Sequence, residues 1–174
     1  MRKTANDTKA LALAALGVLL AAHLVVVPFR QGWTQMGTDF PNYYTAAVVT
    51  LKHEPLRQFY DWVWFQRQIH YAGIEHQLGG YVPYTPLTML PVLPLAAFPP
   101  QRAKQIWLAL EIMLLVSSIV VLARLSRLGI LEVAVLALLA HSALGGNFQL
   151  GQDYILILFL VACGAWCLLR GRER

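Results

Sequence analysis

Charge is the scarcest property of this sequence. Only 13% of its 174 residues are Asp, Glu, Lys or Arg while 57% are hydrophobic, against roughly 25% charged residues in an ordinary soluble domain. A domain surrounded by water on all sides is thereby excluded. Cysteine is nearly absent too. Cys163 and Cys167 stand four apart in an apolar run, so they share one helix face. They read as two small buried apolar residues, since a metal site would need further ligands nearby. His70, Glu75 and His76 match no zinc-ligand spacing, so neither a metal nor another cofactor is expected. A P-loop, a dinucleotide glycine motif and a serine-centred elbow are missing, as are internal repeats and low-complexity tracts.

Long apolar runs take the place of charge. Residues 10–29 carry no formal charge, 105–123 is broken only by Glu111, 128–144 holds Glu132 and His141, and 154–169 is uncharged. A helix needs ~20 predominantly apolar residues to cross the hydrocarbon core. The expectation is an all-α integral membrane protein, one membrane domain over 1–174 with about four transmembrane helices. Arg2, Lys3 and Lys9 before the first run suggest a signal peptide. That run exceeds the ~7–15 residues of a signal h-region, and Val25-Val26-Val27-Pro28 is a poor cleavage site, so an uncleaved span is favoured.

The net charge of +5 would admit nucleic acid as a partner, but the cations are distributed otherwise. Arg2, Lys3, Lys9, Arg124, Arg127, Arg170, Arg172 and Arg174, eight of the fourteen, fall on one side of a four-span arrangement. The positive-inside rule then places both termini in the cytoplasm of a multi-pass protein of the bacterial cytoplasmic membrane.

Residues 30–104 become a long extracytoplasmic loop with helical order, and 145–153 a short one. Phe40, Tyr43, Tyr44, Ala47, Val48 and Leu51 form the stripe of an amphipathic helix that can lie on the membrane surface or pack under the spans. A second helix is expected over about 56–72, where "FYDWVWF" (59–65) has the aromatic content of a bilayer interface. The stretch 83–100, "PYTPLTMLPVLPLAAFPP", is apolar, but its prolines leave too short a run to cross, so it reads as re-entrant or interfacial.

Asp39 in "GTDFPNYYTAA" (37–47) admits two readings. It is a preferred N-cap ahead of Pro41, or it is a general base at the mouth of a membrane cavity. Glu111 and Glu132, inside expected spans, are costly there and hence candidates for function, Glu132 the weaker because it lies near a span end. His23 and His141 read as hydrogen-bonded interior residues.

Taken together, "TDFPNYYTAA" after a first span, the proline-rich stretch, Ala103 and Trp107 at the start of a span, and "GNFQLGQDYILIL" (146–158) resemble the N-terminal part of glycosyltransferase family 87. The resemblance covers residues 37–160 and implies a GT-C-type membrane enzyme. Such an enzyme moves a hexose, typically mannose, from a polyprenyl-phosphate carrier to the hydroxyl of a glycolipid or glycan at the outer membrane face. It implies that Asp39 is the catalytic carboxylate and that Tyr84 with Pro86, and Gly151 with Gln152, are family motifs. Thr85 stands where the family often has proline, and Tyr154 where it commonly has asparagine. With Tyr43, and with Arg102 and Lys104 as the favoured phosphate contacts among Arg30, Arg57, Arg67, Arg102 and Lys104, these complete the expected substrate-binding set. Family members are longer, so the chain resembles an N-terminal half whose C-terminal half would complete the cavity. Two alternatives remain: a non-catalytic four-span scaffold, partner or remnant, and a transporter subunit using Glu111 and Glu132.

Overall fold

The computed structural model describes residues 2–75, 77–81 and 84–171, with side chains from residue 7 onward. His76, Pro83, Arg172, Arg174 and the side chains of Arg2 and Lys3, all invoked above, lie outside the described residues. Every regular element among those described is a helix. The helix α1 (Arg2–Leu24) continues through a π-helical turn (Val25–Phe29) into α2 (Arg30–Thr34). Its apolar length, Asp7–Thr34, suffices to cross a membrane. The first span therefore ends five residues beyond the expected boundary at 29. Pro28 sits inside the π turn: it donates no N–H and its ring crowds the preceding carbonyl, so the hydrogen-bond ladder widens there and then resumes.

Two further unbroken helices are of crossing length, α5 (Pro100–Ser126) and α8 (Tyr154–Gly171). The expected third span, 128–144, is instead α6 (Ile130–Leu139) and α7 (His141–Leu150), which meet at a 71° bend. Contacts at the bundle ends show that this bent pair still connects one end to the other. At one end Lys9 pairs with Glu132 at the start of α6 (2.7 Å), and Arg124, Arg127 and Arg170 line a common cavity. At the other, Gln101 and Gln105 donate to the Trp33 carbonyl and Lys104 donates to that of Gln149. The described residues thus hold three helices long and apolar enough to cross a membrane, or four spans if the bent pair is one, with Lys9 and Arg170 at the same end. Glu132 is fully engaged there, since its second oxygen accepts the Gly129 N–H at 3.1 Å. At the bend, His141 meets His23 of α1, nitrogen to nitrogen at 2.8 Å.

Between α2 and α5 the chain forms a compact cap. Its central helix, α3 (Phe40–Leu51), lies where the apolar stripe puts it, but it is not a one-sided surface helix. Phe40 through Ala47 are all buried, because a 3₁₀ helix (Leu56–Tyr60), α4 (Trp62–Tyr71), a second 3₁₀ helix (Pro86–Ala97) and the first turns of α5 contribute to the same core. The expected continuous helix over 56–72 is interrupted at Asp61. There the backbone is extended, and the carboxylate accepts the Trp64 N–H at 3.0 Å, capping α4.

The proline-rich stretch packs against α3 and α5 with Met89, Val92 and Leu95 buried. That every-third-residue pattern is the 3.0-residue turn of a 3₁₀ helix. Its 12 residues, at about 2 Å each, fall short of the ~30 Å hydrocarbon core. Cys163 and Cys167 correct another expectation: they share a face of α8, but the first is half-buried and the second exposed.

The cap bond at Asp61 is testable in isolation. Asp61→Ala should lower stability by about 1 kcal/mol, whereas Asp61→Asn, which can still accept the N–H, should lose only a small fraction of that. Thermal unfolding of the two variants in detergent measures the difference.

Candidate active site

The site is assembled on Lys104, one turn into α5 and fully buried. Its ammonium donates to the carbonyls of Gln35 (2.8 Å), Met36 (2.7 Å) and Gln149 (2.9 Å), which uses all three of its protons. One cation thereby ties α5 to the loop after α2 and to the end of α7. The turns on either side of it need glycine: Gly37 and Gly151 have φ of +68° and +74°, a left-handed conformation that a side chain disfavours. Each packs closely on Lys104. A Cβ at residue 37 would lie 3.2 Å from Nζ, and one at residue 151 would lie 3.2 Å from Cε. These turns deliver Asp39 and Gln152 toward each other.

Asp39, half-buried, begins α3 with its backbone but does not cap it with its side chain. Its carboxylate is held elsewhere. Oδ1 accepts the Tyr84 hydroxyl at 3.0 Å and that of Thr38 at 3.3 Å, while Oδ2 accepts the Gln152 amide at 2.6 Å. Asp39, Tyr84 and Gln152, 113 residues apart at the extremes, thus meet in one cluster, and Tyr43 joins it through an edge-to-face contact with Tyr84 at 5.1 Å. Lys104 lies beneath the cluster with its protons already committed to carbonyls, contrary to its expected role as a phosphate contact. Arg102 is exposed on the first turn of α5.

A second polar layer supports Gln152. Glu111, fully buried in α5, accepts the Asn147 amide at 2.7 Å. Asn147 in turn accepts the Tyr154 N–H on its side-chain oxygen (3.1 Å) and the Gly151 and Gln152 N–H groups on its carbonyl (2.8 and 3.0 Å). The Trp107 indole donates to the Gln152 carbonyl at 3.4 Å. Asn147 was not anticipated as a positioning residue, although it is the one asparagine within "GNFQLGQDYILIL". Asp153 was also missed. Burial, and then the nearby Asp39 charge, raise its carboxyl above the usual Asp range.

The aromatic cap keeps the phenols protonated. Burial, followed by the Asp39 charge, pushes Tyr84 up to about 12. Tyr43 is raised by burial and then by Asp153, Tyr44 by burial, and Tyr81 by burial, which outweighs its bond with Thr88. Tyr84 is therefore a fixed donor to Asp39 at any physiological pH.

Two outcomes are expected. Lys104→Met, which strands three carbonyls, should destabilise the protein by about 3 kcal/mol or more, while Arg102→Met stays within about 0.5 kcal/mol of the parent; paired detergent melts decide this. For the tyrosines, a folded-state value above the unfolded 10.0 means that stability is intact below pH 10 and is lost as pH climbs from 10 through about 12. Phenolate absorbance from Tyr43, Tyr44, Tyr81 and Tyr84 should then appear together with unfolding. Gradual ionisation of these four phenols near pH 10 in the folded protein, read against a parent lacking the exposed Tyr60, Tyr71 and Tyr154, would contradict the arrangement.

Comparison with curated proteins and with solved structures yields no match. The model of glycosyltransferase family 87 matches residues 81–174, which include Tyr84, Lys104, Glu111, Asn147 and Gln152. The chain belongs to glycosyltransferase family 87.

Proposed function

We propose that this membrane glycosyltransferase transfers a hexose, in the first instance mannose, from a polyprenyl-phosphate donor to an acceptor hydroxyl, with Asp39 as general base. The observation that carries the reading is the convergence of Tyr84 and Gln152 on the Asp39 carboxylate. A carboxylate has about four lone-pair positions. Tyr84, Thr38 and Gln152 take three of them, leaving one on Oδ2 for the acceptor hydroxyl. As that hydroxyl oxygen attacks the anomeric carbon, its proton passes to Oδ2, and the carbon–oxygen bond to the lipid phosphate breaks with its electron pair going to the phosphate. The role suits a group fixed in orientation, because proton transfer needs the base within hydrogen-bond reach of the proton it takes.

The donor's two chemistries find matching surfaces nearby. An apolar groove of ≈ 580 Å³ runs between the α1–α2 rod and α5, lined by Val25, Val26, Phe29 and Ile112, with Arg30 and Trp33 toward the Asp39 end. A polyprenyl chain fits such a groove, and Arg30 is placed to meet its phosphate. Arg102, exposed at the same end, is the second cation for that role. On this reading the Asp39 end faces the outside of the bacterial cytoplasmic membrane and both termini face the cytoplasm, in keeping with the arginines at the other end.

Asp39→Asn tests the base directly. Asparagine keeps an acceptor for Tyr84 and can bond Gln152 once that amide flips, so the fold should hold. Transfer of radiolabelled hexose from polyprenyl-phosphate hexose by membranes containing the variant should fall by a factor of ~10² to 10⁴. Undiminished transfer would remove Asp39 from the chemistry.

A further inference from the structure

The end of the bundle opposite Asp39 holds a second concave site. Arg124 in the last turn of α5, Arg127 just beyond it and Arg170 in the last turn of α8 line a cavity of ≈ 390 Å³ together with Leu125, Trp166 and Leu169. We infer that this cavity binds the phosphate of an anionic membrane lipid, independently of glycosyl transfer.

Charge is the first ground. Three arginines line one hollow, with no carboxylate among the described lining residues, and the ion pair found among the described residues is that of Lys9 and Glu132. The carbonyls at each helix C-terminus attract a cation. They do not explain why three cations surround one hollow, where their mutual repulsion favours a shared anion. Backbone conformation is the second ground. Arg127 follows α5 with φ +59° and ψ +15°, the left-handed position where helices ordinarily place glycine. Glycine is available two residues later, at Gly129, yet arginine occupies the turn and lines the cavity.

The third ground is preorganisation. The Arg170 guanidinium lies over the Trp166 ring, 4.5 Å from its centroid, a cation–π contact that holds the donor fork in place. Guanidinium forks match phosphate oxygens in pairs. Leu125 and Leu169 supply apolar walls beside them, and Leu168 and Leu169 are exposed on the adjoining flank of α8. A headgroup phosphate continuing into acyl chains satisfies both surfaces, whereas a free anion uses only one.

The test is lipid retention by the purified full chain, read by native mass spectrometry, with phosphatidylglycerol and phosphatidylcholine of identical acyl chains. Phosphatidylglycerol should be retained preferentially. Arg127→Gly, which suits the left-handed turn and so preserves the fold, should weaken its retention about fivefold, and the combination of R124Q, R127G and R170Q on the order of a hundredfold. Lys9→Gln, which removes a cation from the same end of the bundle but outside the cavity, should leave retention unchanged. Equal retention by the parent and the triple variant would overturn the inference, as would an equal loss from Lys9→Gln, which would indicate unspecific surface charge. Displacement of the lipid by comparable concentrations of soluble glycerol phosphate would also overturn it, assigning the cavity to a free anion.

Discussion

A buried ammonium that donates to three carbonyls holds together everything that matters in this molecule. Lys104 is fully enclosed, and its three bonds run to two segments with no covalent reason to meet, the loop at 35–36 and the end of α7. An ammonium deprived of water needs every proton satisfied, so the two segments are drawn to it from opposite sides. Gly37 and Gly151 then turn the chain within van der Waals reach of the same side chain. Asp39 and Gln152 are the residues that those turns present.

The same logic repeats about two turns down α5. A carboxylic residue at Glu111 costs at least ~2.5 kcal/mol on membrane-insertion scales, and what it gains is a hold on Asn147. Asn147 organises three backbone N–H groups of the loop between α7 and α8. Lys104 thus fixes where the Gly151 turn lies, and Glu111 through Asn147 fixes its shape. A single bond from Gln152 to Asp39 inherits both constraints. This accounts for the two buried ionisable residues of α5 without invoking transport, and Glu132 is likewise accounted for by its bonds to Lys9 and Gly129.

Sequence reading reached some levels of this structure and not others. Helices in α1, α5 and α8 were legible because a long apolar run has one solution in lipid. α3 was legible as a helix from its 3.6-residue stripe, but its burial on all sides was not, because periodicity reports the strongest apolar face and not what later segments cover. The break between α6 and α7 left no proline to mark it, and the contact that anchors it, His23 with His141, is long-range. Asp39 and Asp61 make the sharpest comparison. Both precede a helix and both are residues that favour capping, yet only Asp61 caps. What separates them is the company of Tyr84 and Gln152, 45 and 113 positions away. Motif order hinted at that company, and local sequence could not.

That Asp39 does not cap its helix bears on its proposed chemistry. A capping carboxylate spends its lone pairs on backbone N–H groups and is directed along the helix axis. Here Asn42 and Tyr43 donate instead to the Asp39 carbonyl, which leaves the side chain available to groups outside the helix. Its donors are a neutral phenol, a neutral hydroxyl and a neutral amide. None can form a salt bridge that would tie up the negative charge, while the nearest cation in the framework, Lys104, is turned toward carbonyls. On the proposed chemistry, a carboxylate oriented by neutral donors with one lone pair free is positioned to accept a proton from an incoming hydroxyl. On the proposed reading, Arg30 by the apolar groove and Arg102 at the head of α5 are the cations for the leaving phosphate. Separation of base from phosphate-facing charge is what an in-line displacement at a sugar carbon requires, since the attacking and departing oxygens occupy opposite sides of that carbon.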